Sequence, residues 1–247
     1  MSKPSHPFNI LITGANRGIG LQLTRQTLAD GNSVWATARN PSKATELQKL
    51  KELNGSKLNI YELEVSEEES VKKLFNQIKS ENVEFDVILS NAGIFHRGDD
   101  KISDFNLENL VESLKVNTFG PIYVSREFLP IVKKNGQFVG ISSFLGSIAL
   151  NDKNTYGGNF YSYRVSKAAL NQSFKNWSNE LNETEQQAYV IHPGSVKTDM
   201  NPHGTITTEE SASSILKIIY SSTKENNGKF FNTDERMGLE ISFDVLG

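Results

Sequence analysis

Tyr163 and Lys167 stand four residues apart in the stretch FYSYRVSKAALNQ, residues 160–172. On an α-helix that spacing puts both side chains on one face, one turn apart. A phenol that delivers a proton near neutral pH needs its ordinary pKa of about 10 pulled down, and a fixed ammonium beside it does that. The same Tyr-x-x-x-Lys spacing recurs at Tyr220 and Lys224. Spacing alone therefore does not choose an acid, because either pair can simply fill the side of a helix. Tyr161 has Val165 one turn on and reads as a packing or pocket-wall residue.

A second candidate for chemistry is the glycine-rich stretch TGANRGIG, which contains Gly14, Asn16, Arg17, Gly18, Ile19 and Gly20. It lies between a strand pattern and a helix pattern. Such a turn lets backbone approach a pyrophosphate and aims a helix N-terminus at it. No Gly-Lys-Ser/Thr follows, so it is not a nucleoside-triphosphate loop. A dinucleotide site of this kind usually has an acid at the end of the second strand to hold the adenine ribose. Here that strand ends on Ala38 and Arg39. An arginine at that position suits a 2′-phosphate, and Arg17 adds a second positive charge, so NADPH is favoured over NADH. The fourth strand ends in Asn91, Ala92 and Gly93, a small-residue turn that would line the same crevice.

These residues need a scaffold, and the chain supplies an alternating one. Strand patterns cover 9–13, 33–38, 57–62, 85–90, 136–142, 188–192 and 228–231. Between most of them apolar residues fall at helical spacing, and Ser66–Glu69 and Thr207–Glu210 read as capping boxes. The expected fold is α/β, a single-domain Rossmann fold over residues 1–247. Its doubly wound parallel sheet has about seven strands in the order 3-2-1-4-5-6-7, with helices on both faces. Irregular segments are expected at 94–105, 144–160 and 194–207, all after strand ends.

The whole set resembles the short-chain dehydrogenase/reductase family, from Asn9 to about residue 200. Four motifs match in order: the glycine turn, Asn-Ala-Gly, a serine before Tyr-x-x-x-Lys, and Pro-Gly-x-Val-x-Thr in HPGSVKT at 192–198. Within the family the stretches ISSFLGSIAL and YSYRVSKAALN are most similar to NADPH-dependent carbonyl reductases of the C-factor and sniffer-like group. The resemblance implies a catalytic tetrad of Asn117, Ser143, Tyr163 and Lys167. Ser143 is taken over Ser142 because the family serine is the second of such a pair. It also implies that Lys167 contacts the nicotinamide ribose and that Asn117 holds a water against Lys167. Cofactor contacts are implied for Glu64 and Val65 after the third strand, and for Pro193, Gly194, Val196 and Thr198 after the sixth. Glu64 stands where the family usually has aspartate, and the Ser143–Tyr163 stretch is longer than is usual, which suggests a loop over the substrate.

The expected function is reduction of a ketone, dicarbonyl or aldehyde by NADPH, with Tyr163 as general acid. The alternative is an NADPH-binding regulator without turnover, which has no need of the tyrosine. Phe95, Phe144, Tyr156 and Phe160 fall in the irregular segments and suggest an apolar or aromatic carbonyl substrate. The resemblance leaves homodimer and monomer open. A net charge of −3 from interleaved acids and bases points to no nucleic-acid or membrane partner. The chain has no cysteine, and its four histidines lack ligand spacing, so no metal is expected. With no signal-peptide pattern and no long apolar run, a cytoplasmic location is expected.

Overall fold

Short runs of β-branched and aromatic residues form the strands β1 (Asn9–Ile12), β2 (Ser33–Ala38), β3 (Leu58–Glu62), β4 (Phe85–Ser90), β5 (Val132–Ile141), β6 (Gln187–His192) and β7 (Phe230–Asn232). In the computed structural model, which describes residues 6–98, 101–151 and 159–233, they make one sheet in the order β3-β2-β1-β4-β5-β6-β7. Every pairing is parallel. Parallel neighbours need crossover connections, and these carry the helices α1 (Gly18–Ala29), α2 (Thr45–Asn54), α3 (Glu68–Lys79), α4 (Leu107–Leu114), α5 (Gly120–Phe128), α6 (Tyr161–Glu180) and α7 (Thr208–Ser221).

The period-two alternation of a strand splits the apolar residues between two cores. Ile10 and Ile12 face Leu23, Ile215 and Ile219 on one side of the sheet. Leu11, between them, faces the other side with Val124, Phe128, Leu170 and Phe174. Helices cover both faces, so β4 is buried along its whole length. The chain builds outward from β1 to β3, then returns to place β4 on the other flank of β1. That reversal opens a crevice at the carboxyl ends of β1 and β4, where such sheets bind ligands. Among the described residues no helix is long and apolar enough to cross a membrane.

Two local expectations are corrected, and one helix goes beyond those expected. β5 begins at Val132, not at residue 136; Val132 pairs with Phe85, and the register then slips before Val87. The polar residues 133–136 hide this start, and Lys133 is held there by Asp86 of the neighbouring strand β4, at 2.8 and 2.9 Å. Ser66 does not cap α3, whose N-cap is Glu67 without a side-chain cap; the Ser66 hydroxyl donates to Glu64 Oε1 at 2.8 Å. α5 is not among the expected helix patterns, and its Ile122 and Val124 are β-branched, yet Pro121 opens it in the first turn and Val124 and Phe128 anchor it. The capping box at Thr207–Glu210 does form. Residues 152–158, which include Tyr156 and most of the expected loop over the substrate, lie outside the described residues.

Candidate active site

A cleft of about 1280 Å³ runs along the carboxyl ends of the strands. Its wall brings together the expected residues element by element. The β1–α1 turn supplies Gly14, Asn16, Arg17, Gly18, Ile19 and Gly20; the segments after β2 and β3 supply Arg39, Glu64 and Val65. Asn91, Ala92 and Gly93 follow β4, Ser143 follows β5, and Tyr163 and Lys167 come from α6. Pro193, Gly194, Val196 and Thr198 follow β6. Asn117 is the exception: it is fully buried and stands behind Gly93.

The glycine turn and the Asn-Ala-Gly turn are stitched into one unit. Asn91 Nδ2 donates to the carbonyls of Thr13 and Gly14 at 2.9 and 3.1 Å. Thr13 Oγ1 accepts from the backbone N–H groups of Asn91 and Ala92, both at 3.0 Å. Asn91 is thus a brace for the turn. The close approach explains two glycines. A Cβ on Gly14, at φ +64°, would stand 2.9 Å from Ala92 Cα, and one on Gly20 would stand 2.4 Å from the Gly14 carbonyl oxygen. The N-cap of α1 is Arg17, and no side chain caps that end, so the helix presents its dipole and its first-turn N–H groups for an anion.

Arg39 is exposed and touches Glu64 only through Nε at 4.0 Å, while Glu64 Oε1 is held by the N–H and hydroxyl of Ser66. Lys43 lines the same end of the cleft, a residue the sequence reading did not single out. An uncapped helix end with Arg17, Arg39 and Lys43 beside it fits an anionic dinucleotide that carries an extra phosphate. Among the described residues no three potential metal ligands converge.

At the other end, the two serines after β5 part company. Ser142 donates to Asn171 Oδ1 on α6 and is spent there. Ser143 accepts from Leu145 N at 3.1 Å, which leaves its own O–H to donate toward the cleft. Lys167 Nζ donates to the Ile141 carbonyl at 2.8 Å and lies 5.7 Å from the Tyr163 ring centre. Burial pushes the Tyr163 phenol up to about 12, and the Ser143 hydroxyl offsets this only in part. Burial likewise pushes Lys167 down to about 8. In the chain alone the phenol therefore lies above its ordinary value, because it is desolvated, and not below it as the Tyr163–Lys167 spacing suggests.

Asn117 sits in a π-helical turn, Lys115–Phe119, that links α4 to α5. Its Nδ2 donates to the Ile94 carbonyl and to Ser166 Oγ, each at 3.0 Å, and its Oδ1 accepts from Ile94 N at 2.8 Å. A Cβ on Gly93 would lie 3.3 Å from Asn117 Oδ1 and 3.8 Å from Lys167 Nζ, so the glycine keeps a gap between the two polar groups. The competing pair is structural. Tyr220 Oη accepts from Asn32 Nδ2 at 2.8 Å. Lys224 Nζ donates to the carbonyls of Leu181 and Gln186, both at 2.8 Å.

The expected aromatics Phe95, Phe144 and Phe160 all line the cleft. Phe95 makes edge contacts with Phe160 at 5.2 Å and with Tyr163 at 5.4 Å. Phe160 holds a left-handed backbone at φ +70°, a strain of about 1–3 kcal/mol that surrounding contacts must offset. Tyr161 packs on Phe105 and does not line the cleft. His192, Arg97 and Met200 line it as well, and no spacing in the sequence marks them.

The family model of the short chain dehydrogenase matches residues 9–208. The chain belongs to the short-chain dehydrogenase/reductase family of oxidoreductases. Among its relatives, an uncharacterized oxidoreductase of Schizosaccharomyces pombe is 34% identical, over 90% of this chain and 94% of that protein. The carbonyl reductase Sniffer of D. melanogaster superposes with a TM-score of 0.86 at 31% identity, covering 93% of this chain and 98% of that one. An NADPH-bound carbonyl reductase from chicken fatty liver superposes with a TM-score of 0.84 at 33% identity, covering 93% and 97%.

Proposed function

We propose that this protein reduces the carbonyl group of a ketone, dicarbonyl or aldehyde to an alcohol with NADPH, and that Tyr163 donates the proton. The observation that carries this reading is the convergence of two O–H donors, Ser143 and Tyr163, on one end of the cleft whose other end is a basic, uncapped helix N-terminus. When bound, NADPH supplies the hydride. Ser143 donates a hydrogen bond to the carbonyl oxygen as it gains negative charge. Tyr163, protonated at neutral pH with its value near 12, gives that oxygen its proton. Lys167 then stabilises the phenolate by charge, and Asn117 holds a proton-carrying water against Lys167 in the gap that Gly93 leaves between them. Support also comes from the carbonyl reductases among the solved relatives.

The test is NADPH oxidation, followed by absorbance, with a panel of diketones, aldehydes and quinones. Turnover of at least one compound is expected. Tight NADPH binding with no turnover of any of them would favour the regulator instead.

Cofactor choice is expected to depend on Arg39. Arg39→Asp removes a charge-assisted hydrogen bond of about 1.5–3 kcal/mol to the 2′-phosphate and adds repulsion, so NADPH should bind at least about tenfold more weakly. NADH should be little affected. Titrating both cofactors by fluorescence checks this, and an unchanged preference would remove Arg39 from the site.

A further inference from the structure

Inside the Tyr-x-x-x-Lys stretch, Arg164 is a residue that the chemistry above does not use. It is only 6% exposed, which is rare for a permanently charged side chain with five donors and no acceptor. Its Nε donates to the Asn159 carbonyl at 2.7 Å and its Nη1 to the Leu145 carbonyl at 3.4 Å. Those carbonyls belong to opposite ends of the connection from β5 to α6. Ser143 and Phe144 stand just before Leu145, and Phe160 follows Asn159. The rigid fork of a guanidinium can span two such acceptors, whereas an ammonium offers one compact point.

The brace acts where the wall of the cleft is least regular. Phe160 is held in its left-handed conformation between Asn159 and the first turn of α6, and its carbonyl accepts from Arg164 N at 2.9 Å. Its ring meets Phe95, and Phe95 meets the Tyr163 ring. Phe144 reaches the cleft from the other braced end, edge-on to His192 at 5.1 Å. Three phenyl rings from three separate segments thus line the cleft that holds the two O–H donors, and Arg164 ties two of those segments together.

We propose that Arg164 is a positioning residue that fixes this aromatic wall, and that the wall selects compounds whose carbonyl adjoins a flat apolar ring. The proposal rests on the reductase reading above. Edge and offset contacts between rings favour a planar apolar substituent beyond what its buried area supplies. A displacement of about 1 Å in a positioning group can lower a rate about a hundredfold.

Two measurements on the full chain with NADPH test it. In the first, kcat and KM are compared for a phenyl-substituted vicinal diketone and its all-methyl counterpart. Phe160→Gly keeps the left-handed backbone and loses the ring, so KM for the phenyl compound should rise about tenfold while kcat holds. Arg164→Met should lower kcat/KM for the phenyl compound by about 10- to 100-fold and change the methyl compound little. Arg164→Lys should fall between, and it carries the comparison if Arg164→Met does not fold.

The second measurement is amide hydrogen exchange over residues 145–151 and 161–164, which needs no turnover. Exchange there should quicken in the Arg164 variants and stay unchanged over β1 and α1. Unchanged exchange in both regions overturns the brace whatever the enzyme reduces. Quickened exchange with a wild-type phenyl-to-methyl ratio overturns the selectivity. If the wild type reduces no carbonyl compound, the reductase reading and the selectivity fall together, and exchange alone then decides the brace.

Discussion

Tyr163→Phe is expected to keep its fold and its NADPH affinity and to lose turnover by about 10²–10⁴-fold, the range for removing a general acid. The substitution deletes one oxygen and leaves the ring, so the edge contact with Phe95 at 5.4 Å survives. What disappears is the O–H that, in the proposed mechanism, shares the carbonyl oxygen with Ser143. Tyr220→Phe is the control, because it too deletes a phenol four residues before a lysine. It removes the bond from Asn32 Nδ2 and costs roughly 0.5–1.5 kcal/mol of stability, with turnover unchanged. Steady-state rates and separate cofactor titrations distinguish the two. Retained turnover in Tyr163→Phe together with loss in Tyr220→Phe would assign the acid to the wrong helix.

Lys167→Met is expected to trade activity for stability. Burial holds the Lys167 value near 8 in the folded chain, below its ordinary value of about 10.4 in the unfolded one. Between those values the unfolded state binds more protons, so stability climbs as pH rises across that window. Below about pH 8 the buried ammonium carries its full penalty, on the order of 3 kcal/mol. Methionine escapes the penalty but gives up the hydrogen bond to the Ile141 carbonyl, which offsets about half of it. At pH 7 the variant should melt a few degrees above wild type, and that margin should vanish by about pH 10. Its turnover should fall by about 10²-fold or more, and NADPH should bind less tightly. Wild-type turnover should itself decline as pH rises through about 8, where Lys167 loses its charge. A lower melting temperature for Lys167→Met at pH 7 would contradict the assigned burial penalty.

Some of this site is legible in the chain because backbone geometry leaves no choice of residue. Gly14 and Gly20 are required by the approach of Ala92 and of the turn's own carbonyl. Alternation and crossover rules give a parallel sheet covered on both faces, and the dinucleotide-type glycine turn selects the order that the sheet adopts. Other features hide because their partners carry no residue-type signature. Arg164 binds main-chain carbonyls, which every residue has, so nothing in the sequence marks it as a brace. Ser142 and Ser143 look alike until Asn171, on another element, claims the first. α5 is concealed by β-branched residues whose strand tendency is overridden by packing against the core. The Tyr163 phenol shifts opposite to the direction that Lys167 alone suggests, because depth of burial cannot be read from spacing.

The π-helical turn at Lys115–Phe119 imposes a condition on chain length. Such a turn holds one residue more than an α-turn, and each residue advances a helix by roughly 100°. Everything after it is therefore out of phase with α4 and in phase with the sheet. Removing one residue within 115–119 would let α4 and α5 fuse into a regular helix and would rotate the segment beyond. Asn117 would leave Ile94, and Val124 and Phe128 would turn from the core. Gly120 would also leave its seat against Val65, where a Cβ would come within 2.9 Å of the Val65 Cβ. A change of residue type at the exposed Glu108 disturbs no buried side chain, whereas a change of count in this short segment is expected to move Asn117, Val124 and Phe128 together. An alignment that opens a gap inside it would describe a protein with a different active site.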